Sequence, residues 1–295
     1  MDARSTSPTP LLPLRPESET VALGAYGLTF TGPVAALAKN LLVPAPEGWP
    51  EVELCWAPPL PDPPAVGFFG PDEAVVPLVS GGHAVLDRAR RIARFCKVDP
   101  PDGHQVAHPC LSTASSYFAR WDGRLSFHAS AVVADGAAWG VLGSKEAGKS
   151  TTVACLARVG YGVLSDDLLV LDGRMALAGP RIIDLRLRAA EYLGLERLVV
   201  VRKGERHRLV LPDVLAQVPF AGFLVLAVGE EVSIERAPLA DRLEILRRHV
   251  TLRRLGVPAS VLLELVGMPM WRVHRSRDWA HLPLLLDRLR STIAA

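Results

Sequence analysis

Residues Gly143-Ser144-Lys145-Glu146-Ala147-Gly148-Lys149-Ser150-Thr151 fit the spacing G-x-x-x-x-G-K-[ST], a loop that cradles nucleotide phosphates with its own backbone N–H groups. Glycine at each end lets the backbone curl around phosphate oxygens with no Cβ in the way. Lys149 would reach the outer phosphates and the Ser150 hydroxyl would ligate Mg²⁺, with Gly143, Ser144, Lys145, Ala147, Gly148 and Thr151 completing the loop. A helix expected from about Lys149 to Val159 would aim its positive N-terminal end at the anion. Lysine is scarce in this chain, at positions 39, 97, 145, 149 and 203, and two of the five lie here. A compact ammonium serves a phosphate cradle differently from a planar guanidinium, which favours a binding loop over a plain surface turn.

Asp166 and Asp167 stand at the tip of the strand expected after the loop helix, and strand, loop, helix, strand, acidic tip is a phosphoryl-transfer layout. One carboxylate would hold Mg²⁺, directly or through water; the other could take the proton from an attacking hydroxyl. An Asp-Asp pair standing alone would mark a solvated turn, and the neighbouring phosphate loop inverts that preference. His128 lies fifteen residues before Gly143, in Phe127-His128-Ala129-Ser130. A lone strand histidine is usually a hydrogen-bonded core or edge residue, and this spacing by itself assigns no role.

Short elements must position these groups. Ala137 to Leu142 is an apolar run expected to form a strand leading straight into the loop. Phe127 to Val133 predicts a second strand, joined to the first through Ala134-Asp135-Gly136, a tight-hairpin sequence. Gly160 is placed to end the loop helix, and Tyr161 to Leu164 predicts a strand whose tip carries the aspartates. Ligands of open α/β sheets collect at such carboxyl ends.

Taken together, His128-Ala-Ser, the phosphate loop and Gly160-Tyr-Gly-Val-Leu-Ser-Asp166-Asp167 resemble the kinase domain of HPr kinase/phosphorylase and its kinase-like relatives, over roughly residues 120 to 190. The resemblance implies an α/β fold: a P-loop kinase core of the HPr kinase/phosphoenolpyruvate carboxykinase type with a mixed sheet, using ATP and Mg²⁺. It implies Asp166 as the base that activates the acceptor, Asp167 beside the metal or the acceptor, and His128 adjusting the protonation of the pair. Lys149 would hold the transferred phosphoryl group. Asp184-Leu-Arg186 is similar to an acidic-x-Arg signature of the family, although Asp replaces the usual Glu and Leu187 stands where glycine is expected. It implies Asp184 as a further metal ligand and Arg186 as a phosphate contact or a support of the loop; a structural ion pair in a strand fits the same residues as well. Residues 1 to about 115 do not resemble the N-terminal domain of true HPr kinases, and no extended glycine-rich stretch follows Arg186. Relatives acting on ribosomally made precursor peptides, such as lasso-peptide precursors, or on small hydroxylated molecules are the better analogy.

Composition bounds the rest. The chain has 295 residues, 49% of them hydrophobic, and no apolar run reaches the ~18–20 residues of a membrane span. No secretory pattern opens the sequence, and Cys55, Cys96, Cys110 and Cys155 show neither C-x-x-C nor zinc spacing. A cytoplasmic protein without a membrane partner is expected. From residue 181 onward Lys and Arg number 19 against 13 Asp and Glu. That surplus could be a solvated helical face or could attract an acidic peptide or phosphorylated acceptor; no motif points to nucleic acid.

Four segments are expected: a disordered, Pro/Ser/Thr-rich tail over 1–20, a small β-rich module over 21–115, the kinase core over 116–235, and a helical region over 236–295. Asp87 to Cys96 and Leu111 to Trp121 predict helices in the linking region. Leu239, Leu243, Leu246 and Val250, then Leu282, Leu285, Leu286, Leu289 and Ile293, recur at helical spacing. The last stripe could contact an acceptor or a second copy, which leaves a homo-oligomer open. The sequence thus predicts a kinase acting on a peptide, protein or small-molecule hydroxyl. Its competitors are a nucleotide-gated regulator without catalysis, and an ATPase or GTPase transferring to water.

Overall fold

The computed structural model describes residues 21–59, 67–79, 81–203, 206–257 and 259–294. The expected tail over 1–20 and most of the proline-rich run after Pro59 lie outside the described residues.

Described residues between Leu23 and Cys96 build an eight-stranded mixed sheet. Its spatial order is Val43–Pro44, Leu23–Ala25, Leu28–Thr31, Glu51–Ala57, Ile92–Cys96, His83–Asp87, Glu73–Pro77 and Phe68–Phe69. The stretch 87–96, expected as a helix, is instead the end of one strand, a turn and a second strand. Ala93 and Phe95 are buried while Arg94 between them is exposed, a period-two pattern. Pairing with Glu51–Ala57 on one side and His83–Asp87 on the other overrides the local helical spacing. Leu111–Trp121 is the expected helix, burying Leu111, Ala114, Phe118 and Ala119 against this sheet.

A nine-stranded mixed sheet carries the Gly143–Thr151 loop. Three of its strands run parallel: Ala137–Gly143, Gln217–Val228 and Met270–Arg275. Their carboxyl ends therefore share one edge. The hairpin from Ser130–Ala134 into Ala137–Gly143 turns through Asp135 (φ 49°) and Gly136 (φ 77°), both left-handed, as a two-residue hairpin loop of this twist requires. The single strand expected over 127–133 is broken. Leu125–Phe127 pairs with Leu169–Asp172, and Ser130–Ala134 pairs with Ala137–Gly143, so His128 sits at the change of partner. A three-stranded sheet of Ile182–Arg186, Arg206–Val210 and Val199–Lys203 lies alongside.

The region after 236 is not helical throughout. Helices Leu239–His249, Ala259–Val266 and Leu282–Ile293 surround the strand Met270–Arg275, which joins the central sheet. Nor is the N-terminal module separately cored: Tyr26, Phe30, Leu54, Phe95 and Phe118 pack in one cluster with Leu168, Val170 and Leu177. Among the described residues no helix is long and apolar enough to cross a membrane.

Candidate phosphoryl-transfer site

Ala137–Gly143 ends at the first glycine of the loop, and the helix Lys149–Arg158 begins directly after Gly148. Each glycine has a packing reason. A Cβ on Gly143 would stand 3.0 Å from the Ala147 Cβ and 3.1 Å from the Leu226 carbonyl oxygen. At Gly148 (φ 93°) it would stand 2.6 Å from the Arg275 guanidinium. No side chain caps the helix N-terminus, so its first N–H groups are left for an anion. Lys149 is buried and donates to the carbonyls of Gly143 (3.0 Å) and Ser144 (3.3 Å), which folds the ammonium back over the loop. Burial lowers its pKa, opposed by the charges of Asp167 and Asp166.

Asp166 gathers the hydrogen bonds of the site. Ser130 Oγ donates to it at 2.6 Å, Ser150 Oγ lies 3.0 and 3.2 Å from its two oxygens, and the Asp184 N–H donates at 3.3 Å. Burial raises its pKa; the Ser130 hydrogen bond opposes this, and the charge of Asp167 adds to it. The next residue faces another way. Asp167 holds a left-handed conformation (φ 69°), which aspartate tolerates better than most residues other than glycine. It turns its carboxylate to His128 Nδ1 at 3.3 Å and His108 Nδ1 at 3.8 Å. With side chains 41% and 51% exposed, Asp167 and His128 are open to an incoming molecule.

Asp184 and Arg186 diverge. Asp184 lies beside Asp166, but both its oxygens are held by Arg208 at 2.7 Å in a bidentate pair. Burial alone would raise its pKa; the Arg208 hydrogen bonds and charge outweigh that and lower it. Arg208 also donates to the carbonyls of His104 and His108, tying the segment before the Leu111–Trp121 helix to the site. Arg186 pairs with Glu146 of the loop at 2.7 Å on an exposed surface. Its cross-strand partner Arg206 is the arginine that lines the acidic cavity.

Two cavities flank the loop. One, of about 590 Å³, lies between Gly143–Ala147, Leu226–Val228 and the side chains of Arg248, His249 and Arg277. His249 is carried here by the end of helix Leu239–His249, and its carbonyl accepts from the His128 N–H. Burial, then the charge of Lys149, lowers its pKa from 6.5 to about 4, so its ring is neutral at pH 7. The second cavity is narrower, lined by Tyr26, His108, Ser150, Asp166, Asp167, Ile182, Asp184 and Arg206. Ser150 lies between the two spaces, at the loop end that meets Asp166.

Mg²⁺ and a nucleotide fit these groups. Among the described residues no cluster of three or more His, Cys, Asp or Glu side chains is arranged to hold a metal alone. An ion here would rest on Ser150, a carboxylate, water and phosphate oxygens, the usual arrangement for Mg²⁺ with a nucleotide.

The positions read from sequence converge, since the loop, Asp166, Asp167 and His128 surround one spot. Sequence reasoning missed Tyr26, His108, Ser130, Arg206, Arg208, His249 and Arg275. Only Ser130 had a signal, standing two residues from His128 and so on the same side of an extended chain.

No protein-family model matches the chain, and no curated protein does. Among solved structures, an Hpr(Ser) kinase/phosphatase from Coxiella burnetii aligns with 57% of this chain and 96% of its own, at 11% identity and a TM-score of 0.31. A likeness at that level bears on neither the activity nor the details of the site.

Proposed function

We propose that this chain is a Mg²⁺-dependent, ATP-using kinase of the HPr kinase-like kind, transferring a phosphoryl group to a hydroxyl of a peptide, a protein or a small molecule. The observation that carries the reading is the contact between the Ser150 hydroxyl and Asp166, with Asp167 turned to His128 alongside. A phosphate-loop serine bonded to a strand-end aspartate is the pairing that holds Mg²⁺ in phosphate-loop enzymes. Mg²⁺ bound there would offset the charge of the outer phosphates.

The residues then divide the work. Loop N–H groups and Lys149 hold the phosphates; Lys149 has only to release the carbonyls of Gly143 and Ser144 to reach them. The geometry favours the reverse of the division that the family resemblance implies. Asp166, fixed by Ser130, Ser150 and the Asp184 N–H, suits the metal. Asp167, exposed and beside two histidines, suits the acceptor, whose proton it would take as the hydroxyl attacks. His128 orients that carboxylate. The larger cavity would hold the nucleoside end of ATP, and the narrower one the acceptor hydroxyl.

Asp167→Asn and Asp166→Asn separate the two roles. Asp167→Asn should bind Mg·ATP as wild type does while transfer falls about 10²-fold or more. Asp166→Asn should bind nucleotide with its Mg²⁺ dependence largely lost, as titration with and without the ion would show. The opposite pattern would restore Asp166 as the base. Steady hydrolysis with no acceptor labelled would instead support the reading as an ATPase.

A further inference from the structure

The N-terminal module reaches into the transfer site through two side chains, His108 and the more deeply buried Tyr26. Tyr26 turns the chain between two short strands with φ at 59°, a strained position for a bulky residue. Its backbone N–H is fixed by the Ala178 carbonyl at 2.6 Å. The residue is 1% exposed, yet it lines the narrow cavity with Ser150, Asp166 and Asp167. Gly179 leaves the space its ring occupies, since a Cβ there would stand 2.8 Å from Cε1 and 3.1 Å from Cζ.

Packing accounts for the ring and leaves the hydroxyl unexplained. No hydrogen bond to another described residue holds the Tyr26 hydroxyl, and it is not one of the sealed, unpaired polar atoms of the core, which leaves it to the cavity that the residue lines. A phenylalanine would fill the same space but bring no donor to the cavity.

Resting on the kinase reading, we propose that Tyr26 is a catalytic residue supplied by the N-terminal module, its hydroxyl donating a hydrogen bond to an equatorial oxygen of the phosphoryl group in transfer. In the step, the acceptor oxygen forms its bond to phosphorus and the bond from phosphorus to the β–γ bridging oxygen of ATP breaks. The acceptor proton passes to Asp167, and ADP leaves with the bond's electron pair; Tyr26 neither gains nor loses a proton. The charge of the moving group is spread over its equatorial oxygens, so a fixed donor there stabilises the transition state more than bound ATP. Burial, with the charges of Asp167 and Asp166, raises the Tyr26 pKa and keeps the phenol a donor. Three aspartates line the cavity and can only accept when ionised; Tyr26 is a donor among them, with Ser150, His108 and Arg206.

The test compares the affinity of the full-length protein for MgADP alone and for MgADP with aluminium fluoride, a mimic of the phosphoryl group in flight, by calorimetry. Wild type should bind tighter with fluoride. Tyr26→Phe should keep the MgADP affinity and melting temperature but lose about tenfold or more of the fluoride-dependent tightening, as expected for a hydrogen bond to a charged group. Gly179→Ala, which keeps the hydroxyl but shifts it with the ring, should also weaken the tightening. Equal tightening in wild type and Tyr26→Phe would overturn the proposal, as would wild-type binding of MgADP indifferent to fluoride; both would leave the nucleotide site standing. Wild type that binds no MgADP would overturn the kinase reading, and this inference with it.

Discussion

The Ser150 hydroxyl lies within hydrogen-bond distance of both oxygens of Asp166, and that contact separates two aspartates that sequence alone treats alike. The same burial that fixes Asp166 works against stability. Its folded pKa is raised above the ordinary carboxylate value, so the folded state holds more protons than the unfolded one between those two values. The cost is absent at acid pH and grows as pH rises through the folded pKa. Without metal, Asp166→Asn should therefore melt above wild type at pH 8, with the gain vanishing below pH ~3, under both pKa values, where both states are protonated. A melting temperature unchanged or lowered at pH 8 would contradict this. The opposite sign holds at His249, whose pKa falls to about 4 on folding: stability should drop as pH falls from 6.5 toward 4, and less so in His249→Gln. Lys149→Ala removes the ammonium proposed to hold the phosphates and should lower transfer about 10²-fold or more, measured with acceptor saturating.

Elements place these residues, and the elements differ in how well sequence reveals them. The strand into Gly143, the helix from Lys149 and the strand ending at Ser165 are contiguous and carry their own turn signals, so the loop and both aspartates were legible. His128 was legible as a motif member, but the break that puts it beside Asp167 comes from a change of strand partner, which no local pattern encodes. Arg208 was invisible for the same reason: register across Ile182–Arg186 and Arg206–Val210 places it opposite Asp184. Arg208→Ala should cost about 3 kcal/mol in denaturant unfolding, because it strands a carboxylate with little solvent access. Arg208→Lys should recover only part, lacking the planar fork. The penalty should shrink as pH falls through the lowered Asp184 pKa, where the pair is lost in wild type too. Gly148→Ala meets both the positive φ and the Arg275 guanidinium, so it should weaken nucleotide binding more than an exposed glycine such as Gly160 would on the same change. Equal effects at the two positions would remove the packing argument.

Across the whole molecule, the N-terminal sheet and the loop-bearing sheet share a core through Leu168, Val170 and Leu177. Sequence divides the chain near residue 115 because composition and proline content change there. It gives no sign that Tyr26 and His108, from before that point, line the same cavity as Asp166 and Asp167. Proximity of that kind is set by packing between distant segments and leaves no periodicity behind. A fragment of residues 116–295 should accordingly fail to unfold cooperatively, having lost the apolar partners of those three side chains; a sharp, reversible transition would show that the core folds alone. The central claim is phosphoryl transfer, and it is tested most directly with γ-labelled ATP and Mg²⁺ supplied to desalted lysate and to a separate metabolite fraction, wild type run beside Asp167→Asn and Lys149→Ala. The account predicts Mg²⁺-dependent label in a peptide, protein or small molecule with wild type and none with either variant. Label confined to free phosphate, or no label at all from a wild-type protein that binds the nucleotide, would contradict it.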